Sequence, residues 1–150
     1  MLDELMMKKA LEMAKRGYQE NEVPIGAIIT FEDKIIASAH NECFNKLDAT
    51  FHAEILAIRS ACKILKTDRL LKCKLYVTLE PCCMCAGAIF HSRIQEVIYG
   101  AADSKFGVVK SKLNLFDNKN LNHHTIIRGG IKSEDSKKLL RSFFLSKRIK

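Results

Sequence analysis

Apolar and polar residues recur along the chain with two periods, which predict most of its helices and strands. From about Asp3 to Gln19, apolar residues return every three or four positions between lysines and glutamates, which is typical of an amphipathic helix capped by Asp3. The runs from Val23 to Phe31 and from Lys34 to His40 are apolar and rich in β-branched residues, and Glu32 with Asp33 between them indicates a hairpin. Residues 1–40 therefore predict one helix followed by two antiparallel strands.

The middle of the chain alternates between helix and strand patterns. A helix is predicted with His52 in its first turn and its end near Lys66. Its expected apolar stripe consists of Ile55, Ile58, Cys62 and Leu65. A strand from Leu71 to Leu79, a helix from about Cys82 to His91 and a strand from Glu96 to Ala101 form a parallel crossover unit. Ligands bind beyond the carboxyl ends of such strands, where Cys82 falls.

The last third of the chain has weaker patterns. Residues 101–122 lack a clean period and are predicted to be mostly loop. His123 to Ile127 is predicted as a fifth strand, in which the adjacent histidines would face opposite ways and could not chelate one ion together. Ser133 is expected to cap a final amphipathic helix with a basic end.

The composition indicates a folded protein with an affinity for polyanions. The 150 residues, of which 47% are hydrophobic, are predicted to form one domain spanning residues 1–150. No apolar run reaches the length of a membrane span and no signal peptide is recognisable, so we expect a cytoplasmic location. The formal net charge of +8 suits a nucleic acid, although lysines also simply keep helix faces hydrated.

Two short segments, His52-Ala53-Glu54 and Pro81 to Cys85, carry metal-type ligands. Cys82 and Cys85 are three positions apart, so both sulfurs can bind one ion from the same face of a helical turn. With His52 they make three ligands, and catalytic zinc keeps three protein ligands and leaves its fourth position to water. Two thiolates cancel the charge of the zinc ion and weaken its effect on water, so we expect Glu54 to act as the base.

The pairing of His-x-Glu with Pro-Cys-x-x-Cys resembles the signature of the zinc nucleobase deaminases. The run from Thr78 to Ala88, its continuation through His91 to Ile94, the segment from Glu22 to Ala27 and the loop at Asn41 resemble the bacterial tRNA-specific adenosine deaminases. The resemblance extends over roughly residues 5–149. It implies a cytidine-deaminase-like fold, a three-layer α/β/α sandwich around a mixed five-stranded sheet.

The same resemblance implies hydrolytic deamination of adenosine to inosine at wobble position 34 of a tRNA, with the arginine tRNA of anticodon ACG as the expected substrate. It implies a homodimer with one Zn²⁺ per subunit held by His52, Cys82 and Cys85, and Glu54 as the residue that transfers protons. It implies substrate contacts for Val23, Ile25, Asn41, Asp103 and Lys105. Ala53, Phe144 and Arg148 are further candidates, the last two because the basic end of the final helix could contact phosphates, with Phe144 reaching toward flanking bases.

The residues themselves leave other interpretations open for several of these positions. Val23 and Ile25 are equally consistent with core packing. Asp103 and Lys105 are more often solvated surface charges. Arg148 belongs to a basic helix end that either stays hydrated or contacts phosphates.

The chain departs from the family pattern just before the histidine. The family has Asp-Pro-Thr-Ala-His, whereas this chain has Asp48-Ala49-Thr50-Phe51-His52. Loss of the proline is expected to loosen the loop, and Phe51 is expected to reshape the nearby wall.

Three alternative functions compete with adenosine deamination in tRNA. A guanine or cytosine deaminase acting on the free base would use the same zinc chemistry. A noncatalytic, zinc-stabilised RNA-binding module would need a fourth ligand from Cys43 or Cys83 and would give Glu54 no purpose. A thioredoxin-like redox site at Cys82 and Cys85 would leave His52 and Glu54 unused.

Overall fold

The computed structural model describes residues 1–148, with side chains through Lys147, and consists of helices packed on both faces of one sheet. The helices are α1 (Leu2–Gln19), α2 (Ala53–Leu65), α3 (Cys83–Ser92) and α4 (Ser133–Arg148). The strands are β1 (Gly26–Phe31), β2 (Lys34–His40), β3 (Cys73–Leu79), β4 (Glu96–Ala101) and β5 (Ile126–Arg128). Among these helices, none combines the length and the apolar character that crossing a bilayer requires.

The sheet has the order β2-β1-β3-β4-β5 and is mixed. β1 pairs antiparallel with β2 and with β3, whereas β3, β4 and β5 run parallel. The β1–β2 hairpin turns at Glu32 and Asp33, whose φ angles of 51° and 63° are those of a type I′ turn. The predicted hairpin and parallel crossover unit are therefore confirmed.

The helices form the two outer layers. α1 and α4 contact each other and cover one face of the sheet, where Met7 and Ala10 pack against Ile28 and Tyr76. α2 and α3 cover the other face and enclose the larger apolar core. The predicted three-layer α/β/α sandwich with a five-stranded mixed sheet is confirmed.

Three strands begin later than the sequence pattern predicted. β1 starts at Gly26 instead of Val23, because Pro24 has no N–H to donate to a neighbouring strand. β3 starts at Cys73 instead of Leu71. β5 spans Ile126–Arg128 instead of 123–127, and the side chains of His123 and Thr125 before it both donate to the carbonyl of Ile94.

The predicted roles of some helix residues were wrong. Asp3 lies within the first turn of α1 and makes no cap hydrogen bond; its carboxylate accepts from the Tyr76 hydroxyl at 2.9 Å and pairs with Arg128 at 2.8 Å. Ser133 is the first residue of α4 and not its cap. The predicted stripe of α2 is largely confirmed, since Ile58 belongs to the core and Cys62 and Leu65 pack against it, while Ile55 is half-buried. Ala53, Ala57 and Ala61 are fully buried in the core, and their small side chains allow α2 to lie close to the sheet.

Gly26 fixes how closely α1 approaches the sheet. A Cβ atom at this position would lie 1.9 Å from the Ala10 carbonyl oxygen and 2.6 Å from the Ala14 nitrogen. Both are backbone atoms of α1, so the helix would have to move. We expect Gly26→Ala to lower the free energy of unfolding by about 3 kcal/mol, measured by urea denaturation.

Gly87 provides the matched control for this substitution. It lies inside α3, and an added Cβ would meet nothing within 4 Å. We expect Gly87→Ala to raise the free energy of unfolding by about 0.5–1 kcal/mol, because alanine loses less backbone freedom in a helix. If both substitutions changed the free energy of unfolding equally, the packing of α1 on Gly26 would not explain the effect of Gly26→Ala.

Candidate active site

The N-terminal ends of α2 and α3 bring the three predicted metal ligands together. His52 caps α2 and Cys82 caps α3, both with extended backbone, and Cys85 lies one turn further along α3. Cys82 follows the carboxyl end of β3, where a parallel sheet binds its ligands. The imidazole nitrogen and the two sulfurs lie within 4.8 Å of one another, so the predicted convergence of these residues is confirmed.

The donor set fits a tetrahedral zinc ion. His52 Nδ1 lies 3.6 Å from Cys82 Sγ and 3.5 Å from Cys85 Sγ. Zinc bonds of about 2.3 Å to sulfur and about 2.0–2.1 Å to nitrogen, at a tetrahedral angle, require an N···S separation of about 3.5–3.6 Å. The observed spacing thus matches the separation that one shared zinc ion demands.

The electrostatics of the cluster favour a thiolate at Cys82 and a neutral thiol at Cys85 when no metal is bound. The hydrogen bonds of Cys82 with Cys85 and His52 lower the pKa of the Cys82 thiol to about 4. The hydrogen bond with Cys82 also raises the pKa of His52, and the Cys82 thiolate together with burial raises that of Cys85. The N-terminal ends of the two helices add partial positive charge at the same point. A divalent cation here would meet one preformed thiolate and one further sulfur.

Glu54 lies beside the cluster in the first turn of α2 and is 4% exposed. Its Oε1 atom is buried and has no hydrogen-bond partner among the residues that the structure describes. Burial and the nearby Cys82 raise the pKa of Glu54 to about 7. A carboxyl group with such a pKa can accept and return a proton near neutral pH.

A cavity of about 760 Å³ opens above the cluster. Its walls include His52, Glu54 and Cys82. They also include six residues for which substrate contact was predicted, namely Val23, Ile25, Asn41, Asp103, Lys105 and Phe144. Ala53 is fully buried next to the cavity, and the side chain of Arg148 lies outside the described residues.

Asn41 joins the loop before α2 to the start of that helix. Its Oδ1 atom accepts a hydrogen bond from the N–H of Ala53 at 2.8 Å, and the side chain is 6% exposed. This bond satisfies one of the N–H groups that a helix start leaves free. Asn41 thereby fixes its own side chain in the cavity wall and positions His52.

The remaining cysteines and histidines do not complete the cluster in the described part of the chain. Cys83 is exposed, and Cys43 donates weakly to the carbonyl of Ala49 at 3.8 Å. His124 is exposed, and His123 is bonded to the backbone carbonyl of Ile94, just before β4. Among the described residues, His52, Cys82 and Cys85 are therefore the three donors available to a metal ion here.

The two departures from the family pattern are accommodated locally. Asp48 accepts hydrogen bonds from both the N–H and the hydroxyl of Thr50, so the turn forms without the proline. Phe51 packs beneath the guanidinium of Arg59, 5.5 Å from its ring centre. That contact directs the ring onto α2.

The sequence patterns missed several residues of the cavity, the most important being Glu80. Its carboxylate is 2% exposed and lies between the strand that leads to Cys82 and the loop over the cavity. It accepts hydrogen bonds from the backbone N–H groups of Asp103, Val109, Lys110 and Ser111, at 2.9–3.2 Å, and from the Ser111 hydroxyl at 2.6 Å. A glutamate before Pro-Cys could have been noted, but its partners lie more than twenty residues away and follow no pattern.

We expect Glu80→Ala to lower the free energy of unfolding at pH 7 by about 3 kcal/mol or more, because each buried donor left without an acceptor costs about 1–3 kcal/mol. Burial disfavours the charged carboxylate, but the hydrogen bonds from Ser111 and the backbone outweigh burial and hold the pKa of Glu80 below its ordinary 4.5. The charged Glu80 carboxylate therefore makes its full contribution to the free energy of unfolding above pH 4.5, and this contribution is lost as pH falls through the folded-state pKa.

Urea denaturation between pH 7 and pH 3 measures this effect. The difference between wild type and Glu80→Gln should shrink as the pH falls, whereas exposed Glu134→Gln should stay close to wild type throughout. A difference that is constant with pH would refute the role given to the Glu80 charge.

Comparison with known proteins places this geometry among deaminases. Residues 1–148 match the family model of the MafB19-like deaminases. A tRNA-specific adenosine deaminase of Rickettsia bellii is 46% identical over 92% of this chain and 97% of its own length. A structure from a study of A-to-I editing by tRNA:A34 deaminases has a TM-score of 0.87 at 40% identity, covering 90% of this chain and 98% of that one. Guanine deaminase from Bacillus subtilis is also 40% identical, with a TM-score of 0.63 and coverage of 66% and 64%.

Proposed function

This chain belongs to the MafB19-like deaminases and to the tRNA-specific adenosine deaminases, and from that premise we infer that it converts adenosine to inosine at the wobble position of transfer RNA. One observation of the site supports this function above all others. A buried glutamate with a free carboxylate oxygen lies beside a zinc-type His-Cys-Cys cluster at the end of an open cavity. A hydrolytic deaminase needs these groups, and this function gives a role to His52, Glu54, Cys82 and Cys85 alike.

We propose that His52, Cys82 and Cys85 hold one Zn²⁺ per subunit. Zinc, when bound there, polarises water and lowers its pKa. The matching N···S separations and the low pKa of Cys82 support this assignment. Cys85 is fully buried, so the cation would be shielded from solvent on that side.

Glu54 transfers the protons of the reaction. Its carboxylate takes one proton from the attacking water and gives it to the purine ring nitrogen. It then takes the proton of the hydroxyl group now on the ring carbon and gives it to the departing amine, so that ammonia leaves and inosine remains. Its buried Oε1 atom has no partner among the described residues and can therefore take up a proton. Val23 and Ile25 supply apolar walls for the base, and Asn41 and Asp103 supply polar groups.

A lysine in the cavity wall and the basic sequence at the end of α4 suit an RNA substrate. Lys105 lines the cavity, and Arg148 ends the helix that carries Phe144. The target base must leave its stack to reach Glu54, so an anticodon loop is an easier substrate than a duplex. We propose the arginine tRNA with anticodon ACG as the substrate, and a single domain of residues 1–150 that acts as a homodimer in the cytoplasm.

Incubation of the zinc-loaded protein with unmodified arginine tRNA, free guanine and free cytosine tests the proposal. We expect inosine at position 34 of the tRNA and no turnover of the free bases. The similarity to guanine deaminase makes guanine the most informative control. Turnover of guanine without inosine in the tRNA would replace the proposed function with deamination of the free base.

A further inference from the structure

Two phenylalanines stand in solvent at the rim of the active site. Phe44 and Phe106 are each 68% exposed. Phe106 lines the main cavity, and Phe44 lines an adjoining cavity of about 490 Å³ that shares Val23, Asn41 and His52 with it. A large apolar ring exposed beside a binding site marks a surface that a partner covers.

A carboxylate holds the backbone of each of the two phenylalanines, buried for Phe44 and half-buried for Phe106. Glu22, 2% exposed, accepts hydrogen bonds from the N–H of Phe44 at 3.1 Å and from the N–H and side-chain amide of Asn45 at 2.7 and 2.8 Å. The Asp103 carboxylate accepts from the N–H of Phe106 at 3.2 Å, and the N–H of Asp103 donates in turn to Glu80 at 3.0 Å. Both loops are thus fixed before a ligand arrives, which lowers the entropy cost of binding to the rings.

Gly107 adds a second constraint behind Phe106. A Cβ atom at Gly107 would lie 2.3 Å from the Glu80 carboxyl carbon, so the chain can pass this close only as glycine. The loop therefore wraps tightly around Glu80 and turns the Phe106 ring outwards. Exposure of this ring follows from how the loop is built.

Each ring shares its cavity wall with one lysine, beside the carboxylates already described. Lys105 precedes Phe106 in the same cavity wall. Lys147 lines the smaller cavity together with Phe44. An aromatic face next to a cation is the usual means by which proteins hold single-stranded nucleotides, because the ring stacks on the base while the cation faces the phosphate.

We propose that Phe44 and Phe106 stack against the two nucleotides that flank the target adenosine, one on each side. When the adenosine leaves the loop to reach Glu54, its neighbours lose a stacking partner, and the two rings replace it. The inference rests on the proposed function, because it needs a single-stranded RNA with one extruded base. It makes these two residues determinants of sequence context around the edited base.

Alanine, leucine and tyrosine variants at both positions test the proposal. Binding of a fluorescently labelled anticodon stem-loop is measured by anisotropy, and inosine formation by steady-state kinetics. Stacking on one base is worth about 1–3 kcal/mol, so we expect Phe106→Ala and Phe44→Ala each to raise Kd and KM by about 5- to 150-fold with a smaller effect on kcat. Phe→Tyr should stay near wild type, whereas Phe→Leu should resemble alanine because it is apolar but cannot stack.

Leu71→Ala is the matched control, since Leu71 is 60% exposed and lies on the turn before β3. Alanine variants with wild-type Kd and KM would overturn the inference. The inference would also be overturned if the alanine variants lost self-association in sedimentation and this loss accounted for their weaker binding of the stem-loop. The rings would then contact a second copy of the chain. If the wild type binds the stem-loop but forms no inosine, the proposed function fails, while the Kd values still decide the role of the rings.

Discussion

Glu54→Gln is expected to reduce the rate of inosine formation by about 10²- to 10⁴-fold, the usual contribution of a residue that transfers protons. The amide has nearly the same shape but cannot accept the proton of the attacking water. Zinc content, measured by elemental analysis, should remain at one per chain, because the three predicted ligands are untouched. Glu12→Gln, which removes an exposed charge on α1, should retain full activity.

The same variant separates catalysis from stability. Burial raises the pKa of Glu54 to about 7 in the protein without metal, so its charged form is disfavoured at pH 8. An acid whose pKa rises on folding destabilises the fold as pH increases through that range. The melting temperature of zinc-free Glu54→Gln at pH 8 should therefore equal or exceed that of the wild type. An inactive variant with a much lower melting temperature would show that Glu54 supports the fold instead.

Cys85→Ser is expected to weaken zinc binding by more than about 100-fold and to abolish inosine formation. Cys85 is fully buried at the back of the cluster, and the serine hydroxyl is a much poorer zinc ligand than a thiolate. Competition with a chromophoric chelator measures the affinity, and restoration of activity by added zinc measures the dependence on the metal.

Cys83→Ser is the control that the chain itself provides. Cys83 lies between the two proposed ligands, and its side chain is exposed. This variant should bind zinc and edit tRNA like the wild type. Loss of zinc from the Cys83 variant, or its retention by Cys85→Ser, would mean that the cluster is formed by different sulfurs.

Elements with strong local signals could be predicted from the sequence. The β1–β2 hairpin and β4 follow from short apolar runs with clear ends, and β4 has the predicted bounds, Glu96–Ala101. The convergence of His52, Cys82 and Cys85 followed from ligand chemistry, because three such residues at this spacing have few other uses. The cavity wall at Val23, Ile25 and Asn41 came from the family resemblance, since periodicity does not distinguish a pocket from a core.

What the sequence did not predict depends on contacts between distant residues. The loop over the cavity has no period of its own, because its shape is set by Glu80, whose partners begin at Asp103. The exposed position of Phe106 could not be predicted for the same reason, because it follows from how that loop wraps around Glu80. Asp3 has the pattern of a helix cap, but a tyrosine seventy-three positions away binds its carboxylate.

X-ray absorption at the zinc edge of the active protein tests the central claim most directly. Two sulfur atoms at about 2.3 Å and two nitrogen or oxygen atoms at about 2.0–2.1 Å are expected, one nitrogen from His52 and one oxygen from solvent. The three protein donors that the described residues bring together allow this coordination. Three or four sulfur atoms around the zinc would fill the fourth position with protein and contradict a hydrolytic site.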